Sequence, residues 1–228
     1  WPGTVGFRQV GTNAAKFTGT LDGVTYKITG LLVNAAIRYQ GLFGITLNAT
    51  ISNVTLIDVD ISNTFETRTG ALAGSTLDTD ITNCHSSGNV SSVDDFVGGL
   101  VGEFLGGTIS RSSSSCVVAT DGDYAGGLMG EIGENVTHGV VTQCFATGSV
   151  SCRYDAGGLL GYQELHASVN NCYATGNVVA SEDYAGGLIA EVTSSALNTV
   201  DRCYSKGTVT ANSDAGGLIG TKGLSVVT

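Results

Sequence analysis

Carboxylate side chains recur at matching points of the sequence, on either side of a repeated Gly-Gly pair. One set precedes the pair and another follows it: Asp95, Asp123 and Asp183 before it, and Glu103, Glu131 and Glu191 after it. Oxygen ligands of this kind suit Ca²⁺, whereas like charges a few ångströms apart repel unless water screens them. Solvated acidic turns are the simpler interpretation. We therefore predict no bound metal or cofactor, with Ca²⁺ at Asp95, Asp123, Asp183, Glu103 and Glu131 as the alternative.

Cysteine is the second candidate for chemistry. Four of the six cysteines fall at one position of a repeated segment, namely Cys84, Cys144, Cys172 and Cys203. A small buried apolar side chain recurs in this way, and no Cys/His spacing suits zinc. An even cysteine count also permits disulfides, and Cys144, Cys172 and Cys203 belong to consecutive repeats. The sequence thus predicts a buried thiol ladder, with a disulfide within that trio as the alternative.

Residues for catalysis are sparse. Two pairs of aspartates lie two residues apart, Asp58 with Asp60 and Asp78 with Asp80. Alternate residues of a strand share a face, at a separation compatible with inverting glycoside hydrolysis, but no partner residues are visible nearby. None of the three histidines, His85, His138 and His166, lies in an HExxH motif or beside a nucleophile pattern. We predict no catalytic residue.

Aromatic residues and sequons are the remaining candidates for binding or modification. Tyr39, Phe96, Tyr124 and Tyr184 all precede the Gly-Gly pair or its counterpart. A packing ladder is the simpler interpretation, and a sugar-binding strip with Tyr124 and Tyr184 as its ligand contacts is the alternative. Four Asn-X-Ser/Thr sequons, at Asn48, Asn53, Asn89 and Asn135, are glycosylation candidates if the source is a eukaryote.

An internal repeat must position all of these residues. The pattern Gly-Gly-Leu-x-Gly recurs with its leucine at Leu72, Leu100, Leu128, Leu159, Leu188 and Leu218, and Leu42 marks an imperfect first copy. Successive leucines are 28 to 31 residues apart. A second pattern lies halfway along each unit, as in VTQCFATGSV and VNNCYATGNV. Such regular self-similarity is the signature of a repeat architecture.

Short β-branched runs punctuated by glycine predict strands and turns within each unit. The 34 glycines among 228 residues oppose the amphipathic helices that helical repeats require. We therefore predict an all-β fold, a β-solenoid of about seven to eight coils with parallel strands about 4.8 Å apart. The leucines should point inward, and the Gly-Gly pair should form a corner where a Cβ is excluded. Asn53, Asn83 and Asn171 should form a discontinuous ladder of side-chain amides.

These repeats resemble the GLUG-motif repeat of bacterial surface and secreted proteins, which also occurs in the non-catalytic region of immunoglobulin-A-cleaving metallopeptidases. The opening segment from Gly6 to Asn34, with YQGLFG after it, is similar to the start of such arrays. The resemblance implies a right-handed parallel β-helix, an extracellular or cell-surface location, and a role in adhesion or as a spacer within a longer chain.

Charge and hydropathy exclude two classes of partner. Twenty acidic and 10 basic residues give a formal net charge of −10, which repels phosphate, so no nucleic-acid partner is expected. No run approaches the roughly 18 apolar residues of a membrane-spanning helix, so we expect no membrane insertion.

We predict one β-solenoid domain over residues 1–228, with a divergent lead-in coil at 1–34, GLUG-like repeats at 35–220, and the start of a further coil or a terminus at 221–228. The expected function is non-catalytic: adhesion to other protein or glycan surfaces, or surface presentation, within a larger assembly or chain. One alternative is a protomer of an extracellular structural filament or glycoprotein fibre, stacked end to end. A second is a β-helix enzyme acting on polysaccharide.

Overall fold

The chain winds into a β-solenoid of about seven turns, as seen in a computed structural model. The structure describes residues 6–65, 68–133, 138–164, 166–193 and 197–223. Within these ranges there is no helix, and therefore none with the length and hydropathy of a membrane span. Each full turn contributes strands to four parallel sheets in succession, which we number 1 to 4 in the order that the chain passes through them. The predicted parallel β-helix is confirmed.

Sheets 1 and 2 flank the glycine-rich corner. Sheet 1 contains the short strands Tyr39–Gln40, Arg68–Gly70, Val97–Gly98, Tyr124–Gly126, Asp155–Gly157, Tyr184–Gly186 and Asp214–Gly216. Sheet 2 follows with Phe43–Leu47, Ala73–Leu77, Val101–Leu105, Met129–Ile132, Leu160–Gln163, Ile189–Val192 and Ile219–Lys222.

Sheets 3 and 4 complete each turn. Sheet 3 contains Thr20–Asp22, Thr50–Ser52, Asp80–Thr82, Gly107–Ser110, Gly139–Thr142, Ala167–Asn170 and Thr199–Asp201. Sheet 4 contains Lys27–Thr29, Leu32–Val33, Thr55–Asn63, His85–Ser92, Ser113–Ser114, Val117–Thr120, Phe145–Ala146, Val150–Cys152, Tyr173–Ala174, Val178–Ala180, Tyr204–Ser205 and Val209–Thr210.

Residues one repeat apart are neighbours on the ladder. The Leu100 N–H donates to the Leu128 carbonyl at 2.9 Å, and Val101 pairs in register with Met129. Side chains of one type therefore stack in columns that run along the solenoid. The leucine column is the core of the corner, because Leu72, Leu100, Leu128, Leu159 and Leu188 are all completely buried. Each such leucine stabilises the fold by about 1.5–3 kcal/mol through removal of apolar surface from water.

The Gly-Gly corner excludes side chains by close approach and not by a left-handed backbone. A Cβ on Gly126 would lie 1.8 Å from the Met129 carbonyl oxygen of the same coil. A Cβ on Gly127 would lie 2.2 Å from the carbonyl oxygen of Gly158 in the next coil. At these two glycines the bend between sheets 1 and 2 therefore leaves no room for a side chain, although Ala71 holds the second position of the pair in an earlier coil.

A left-handed turn joins sheet 3 to sheet 4, and it explains the asparagine column. Asn53, Asn83 and Asn171 have φ of 57°, 54° and 54°, a conformation that asparagine tolerates better than most residues. The Asn83 side-chain amide donates to Asn53 at 2.7 Å, and Asn53 donates to Asp22 at 2.8 Å. The predicted amide ladder is confirmed, and it ends after Asn83, since Arg111 is the residue at this position in the next coil.

The lead-in segment forms part of the same stack. Thr20–Asp22 pairs with Thr50–Ser52, and Lys27–Thr29 pairs with the first residues of Thr55–Asn63. Of the residues after Gly220, Thr221 and Lys222 continue the last strand of sheet 2, and 224–228 lie outside the described residues.

Candidate functional site

Two columns of polar and aromatic side chains face each other where sheet 1 meets sheet 2. We call them the acidic–aromatic corner. Its sheet 1 column consists of Tyr39, Arg68, Phe96 (just before its strand), Tyr124, Asp155, Tyr184 and Asp214. Its sheet 2 column consists of Ser75, Glu103, Glu131, Tyr162, Glu191 and Thr221. The last glycine of the repeat motif lets them approach. A Cβ on Gly130 would lie 2.5 Å from the Phe96 carbonyl carbon, so a side chain has no room there.

At one end of the corner, the positively charged side chain of Arg68 pairs with a glutamate. The Arg68 Nε donates to Glu103 Oε1 at 2.5 Å, and the Ser75 hydroxyl donates to Glu103 Oε2 at 2.6 Å. The Arg68 guanidinium lies 4.9 Å from the centre of the Phe96 ring and 5.9 Å from that of Tyr39. Glu103 is 7% exposed, and both of its oxygens have partners. A stacked guanidinium with a charge-assisted hydrogen bond is a strong local arrangement.

The middle of the corner is an aromatic stack. The Phe96 and Tyr124 ring centres are 5.3 Å apart at an interplanar angle of 26°, and those of Tyr124 and Tyr162 are 4.7 Å apart at 35°. These are ordinary packing geometries for aromatic pairs. Tyr124 and Tyr184, the sequence's sugar-contact candidates, occupy one column with Asp155 between them. Sugar binding by them stays a prediction.

Two carboxyl groups of the corner are buried without a partner in the described part of the chain. Glu131 is 8% exposed and Asp155 is 6% exposed, and Asp155 Oδ1 has no hydrogen-bond donor. Burial, reinforced by the charge of Glu103, raises the pKa of Glu131 to about 8. Burial, reinforced by the charge of Glu191, raises the pKa of Asp155 to about 7. Native structures rarely leave buried polar atoms unpaired, so these two residues are the chemically unusual feature of the corner.

The acidic residues singled out in the sequence lie at or beside this corner. Asp95, Asp123 and Asp183 are on the turns that lead into sheet 1, and Asp95 Oδ1 accepts the Asp123 N–H at 2.8 Å. Glu103 and Glu131 are register neighbours in sheet 2, as predicted. Within the described ranges, no three His, Cys, Asp or Glu side chains converge as a metal-binding group. Calcium binding at these residues stays a prediction.

Asp155 and Tyr162 belong to the corner but were not predicted as site residues from the sequence. For Asp155, its position relative to the Gly-Gly pair would have indicated the site. Counting back from the Gly-Gly pair places Asp155 in the column of Tyr124 and Tyr184. The aromatic residue of this coil is Tyr154, which lies one position earlier, and the Arg153 guanidinium lies 4.8 Å from the centre of its ring.

The cysteines of the column form hydrogen bonds with backbone groups of their own coil and of the neighbouring coil. All six cysteines are free thiols. The Cys144 N–H donates to Cys172 Sγ at 3.4 Å, and the Cys172 N–H donates to Cys203 Sγ at 3.4 Å, which places the three in consecutive coils. Each thiol donates in turn to the carbonyl two residues earlier, as Cys172 does to Asn170 at 3.1 Å. Burial raises the pKa of Cys84 to about 11 and that of Cys152 to about 12, so these thiols stay neutral near pH 7.

The residues considered for catalysis have structural contacts. Asp58 has φ of 52° at a β-bulge opposite Ser87, whose hydroxyl accepts the Asp58 N–H at 3.3 Å, and Asp60 is exposed. Asp78 occupies a left-handed turn, and Asp80 accepts the Thr108 N–H at 3.0 Å. The His85 ring bonds Ser113 at 2.8 Å and Asn83 at 3.1 Å, while the His138 and His166 ring centres are 5.3 Å apart.

The sequons differ in their surroundings. Asn48 and Asn89 are exposed, whereas Asn53 is half-buried and its amide belongs to the ladder with Asn83. Asn135 lies outside the described residues. Glycosylation of all four stays a prediction.

A further aromatic column on the outer face of sheet 4 went unnoticed in the sequence. It consists of Phe145, Tyr173 and Tyr204, each directly after a cysteine of the column. Neighbouring ring centres are 4.9 and 5.0 Å apart at angles of 1° and 5°. Because the ring faces cover one another, the column stabilises the stack and offers mainly ring edges to solvent.

The family comparison fits this geometry. The family model of the GLUG motif matches residues 66–91 and 153–179. Two coils carry the GLUG motif. Each matched segment starts just before sheet 1 and ends within sheet 4, so one motif spans one turn of the solenoid. The resemblance seen in the sequence is confirmed, and the motif coils are a non-catalytic type of module. A search of curated proteins found no match.

Within the two GLUG coils, the same site of sheet 1 carries opposite charges. The first matched coil begins its sheet 1 strand with Arg68, and the second begins it with Asp155. The motif therefore specifies the frame of the corner and leaves the charge at this position variable.

Proposed function

We propose that this chain is a non-catalytic module of an extracellular or cell-surface protein, and that it adheres to other protein or glycan surfaces through the sides of its solenoid. The observation that supports this most is the pair of in-register columns of side chains at the acidic–aromatic corner, which run from Tyr39 to Asp214 on sheet 1 and from Ser75 to Thr221 on sheet 2. A linear array suits an extended partner better than a small substrate, because several coils about 4.8 Å apart can contact such a partner at once.

The negative charge of the chain indicates which kinds of partner surface it can bind. The formal net charge of −10 gives the chain an overall negative potential. Such a field attracts basic partners and speeds their association, and it opposes polyanions such as nucleic acids.

Adhesion is tested by coating beads with the purified chain and measuring their retention under flow on an array of glycans and of immobilised basic and acidic proteins. We expect retention on part of the array, and weaker retention for Tyr124→Ala and Tyr184→Ala. Beads coated with an unrelated protein of similar negative charge are the control. Retention no greater than that of the control, or chemical turnover of the arrayed molecules, would overturn the proposal.

Location is tested separately with antibodies raised against the chain. They are expected to label intact cells of the producing organism or its surrounding medium. Labelling that appears only after the cells are permeabilised would contradict an extracellular role.

A further inference from the structure

We propose that the acidic–aromatic corner binds a cationic side chain of a protein partner, above all an arginine, at Asp155 and Glu191 between Tyr124 and Tyr184. This inference rests on the adhesive function proposed above for the existence of a partner, and it adds the chemistry by which that partner is recognised. It follows from a comparison of two places within the same corner.

In the first place, an arginine of the chain itself lies between two aromatic rings and pairs with a glutamate. Arg68 lies between Tyr39 and Phe96 in the sheet 1 column, and its guanidinium is within 6 Å of both ring centres, at 5.9 and 4.9 Å. Its charge partner is Glu103, which belongs to the sheet 2 strand of the following coil. Two aromatic residues, a guanidinium and one glutamate thus form a complete unit.

The second place resembles this arrangement three coils further along, but its own coil has Tyr162, which packs against Tyr124, at the sheet 2 position that Ser75 holds in the first place. Asp155 pairs in register with Tyr124 on one side, and on the other side Tyr184 directly precedes the residue that pairs with Ala156. Arg68 likewise pairs with Tyr39, and Phe96 directly precedes the residue that pairs with Thr69. Glu191 occupies the sheet 2 position of the following coil, as Glu103 does in the first place. An aspartate therefore stands where the first place has its arginine. The result is two facing carboxyl groups in an aromatic frame.

The second place also has unmet hydrogen-bonding capacity. Asp155 is 6% exposed, its Oδ1 has no donor, and no ion pair among the described residues includes Asp155 or Glu191. Tyr124, Tyr184 and Glu191 are each partly exposed, whereas Asp155 Oδ1 is itself closed to solvent. A ligand from solvent therefore meets Glu191 and the two rings first, and it bonds Asp155 Oδ1 only when the side chains that cover this atom move aside.

A guanidinium fits this deficit better than a sugar or a metal ion. It carries several N–H donors in a plane, neutralises two carboxylates and stacks on aromatic rings. A neutral sugar would leave the repulsion between Asp155 and Glu191 in place. A calcium ion requires six or more oxygen ligands, and no three metal-ligating side chains converge within the described ranges.

The test uses two short probes, acetyl-Gly-Arg-Gly-amide and its citrulline counterpart, which has the same shape without the charge. Calorimetric or NMR titration of the whole chain should show binding of the arginine probe and at least about tenfold weaker binding of the citrulline probe. Asp155→Asn and Glu191→Gln should each weaken arginine binding by about tenfold or more. Asp60→Asn removes an exposed carboxylate from sheet 4 and should leave binding unchanged.

Three results would overturn the proposal: no binding of the arginine probe, equal binding of the citrulline probe, or equal weakening by Asp60→Asn. A glycan that binds the corner equally well in Asp155→Asn would overturn it too.

A second variant tests the internal comparison directly. Asp155→Arg should reproduce the Arg68 arrangement with Glu191, raise Tm and abolish binding of the arginine probe. A lower Tm with intact probe binding would mean that the two places are not equivalent.

The outcomes also separate this inference from the proposed adhesion. If beads adhere but the arginine probe does not bind, the site is wrong and adhesion stands. If the probe binds but beads coated with the chain are not retained, the site stands and adhesion is wrong.

Discussion

The residue just after the left-handed turn links the backbone of one coil to the side chain of the next. In that column, Cys172 accepts the Cys144 N–H and donates to the Asn170 carbonyl. Ser112 does the same between Cys84 and its own coil, at 3.1 and 2.9 Å. In these coils the position holds a small side chain that both donates and accepts a hydrogen bond, whereas the earlier coil has the apolar Val54 there. Cysteine does both and also buries apolar surface.

Replacement of Cys172 separates this role from simple packing. Cys172→Ala leaves the buried Cys144 N–H unpaired and should lower the free energy of unfolding by about 1–3 kcal/mol. Cys172→Ser keeps a donor and an acceptor, so its loss should be smaller. Chemical denaturation of both variants measures the difference. A serine variant that is less stable than the alanine variant would show that burying a hydroxyl costs more than its hydrogen bonds return, and would contradict a hydrogen-bonding role for this side chain.

The buried carboxyl of Glu131 makes stability depend on pH. Because its pKa is about 8 in the folded chain and near its ordinary value of 4.5 when unfolded, the folded state holds a proton that the unfolded state releases. Below about pH 4.5 this carboxyl group is protonated in both states, so it does not make the free energy of unfolding depend on pH. As the pH rises from there toward 8, only the unfolded state loses the proton, and the free energy of unfolding falls. Asp155, with its pKa of about 7, acts in the same direction. Tm should therefore be higher at pH 5 than at pH 8.5.

Glu131→Gln tests the source of this pH dependence. The variant should be more stable than the native chain at pH 8.5, and its Tm should change less between pH 5 and 8.5. Asp60→Asn, which removes an exposed carboxylate, should keep the native slope. If the two variants respond alike, general charge repulsion explains the effect and burial of Glu131 does not.

Repetition made some site residues visible in the sequence and hid others. The spacing of the Gly-Gly-Leu-x-Gly copies is enough to place Glu103 beside Glu131 and Cys144 beside Cys172. Asp155 was not predicted as a site residue, because it is the one acidic residue between aromatic ones in its column. A pattern of similar residues at equivalent positions does not reveal a residue that differs from the pattern. The sheet 1 and sheet 2 columns face each other because the chain bends sharply between the two sheets. No residue pattern within a single strand predicts that bend.

At the scale of the elements, the corner between sheets 1 and 2 depends on the absence of a side chain. The first glycine of each pair packs its Cα against the carbonyl oxygen three residues later, as Gly126 does against Met129 and Gly157 against Leu160. A residue with a Cβ forces the backbone of the bend to move. The sequence indicated this corner because glycine recurs there, although it left open whether a left-handed φ or close approach was the cause.

Gly126→Ala should be strongly destabilising for this reason. The added Cβ would lie 1.8 Å from a backbone oxygen, so we expect a loss of about 1–3 kcal/mol from the strain of moving the bend. Gly217→Ala is the matched control, because a Cβ there meets nothing within 4 Å and should change stability by less than about 0.5 kcal/mol. Equal stability of the two variants would contradict close approach as the reason for the glycines.

At the scale of the whole molecule, every coil contacts mainly its neighbours, so stability and function both depend on register. Sheet 3 shows this most simply, because Ile51, Ile81, Ile109, Val141 and Val169 stack as one buried column. An error of one residue in register would turn such a column outward. The repeat period fixed this arrangement in the sequence, since β-branched residues recur at the same point of every unit.

The distance between spin labels along sheet 3 tests the parallel stack most directly. Thr20, Thr50, Ser168 and Thr199 belong to one column, in which Thr50 is four coils from Ser168 and five from Thr199, and Thr20 is six from Thr199. Labels introduced as an unnatural amino acid, which spares the native thiols, should give distances of about 19, 24 and 29 Å for these pairs. Distances that do not grow by about one strand spacing per coil would contradict the solenoid, and every column described above would lose its basis.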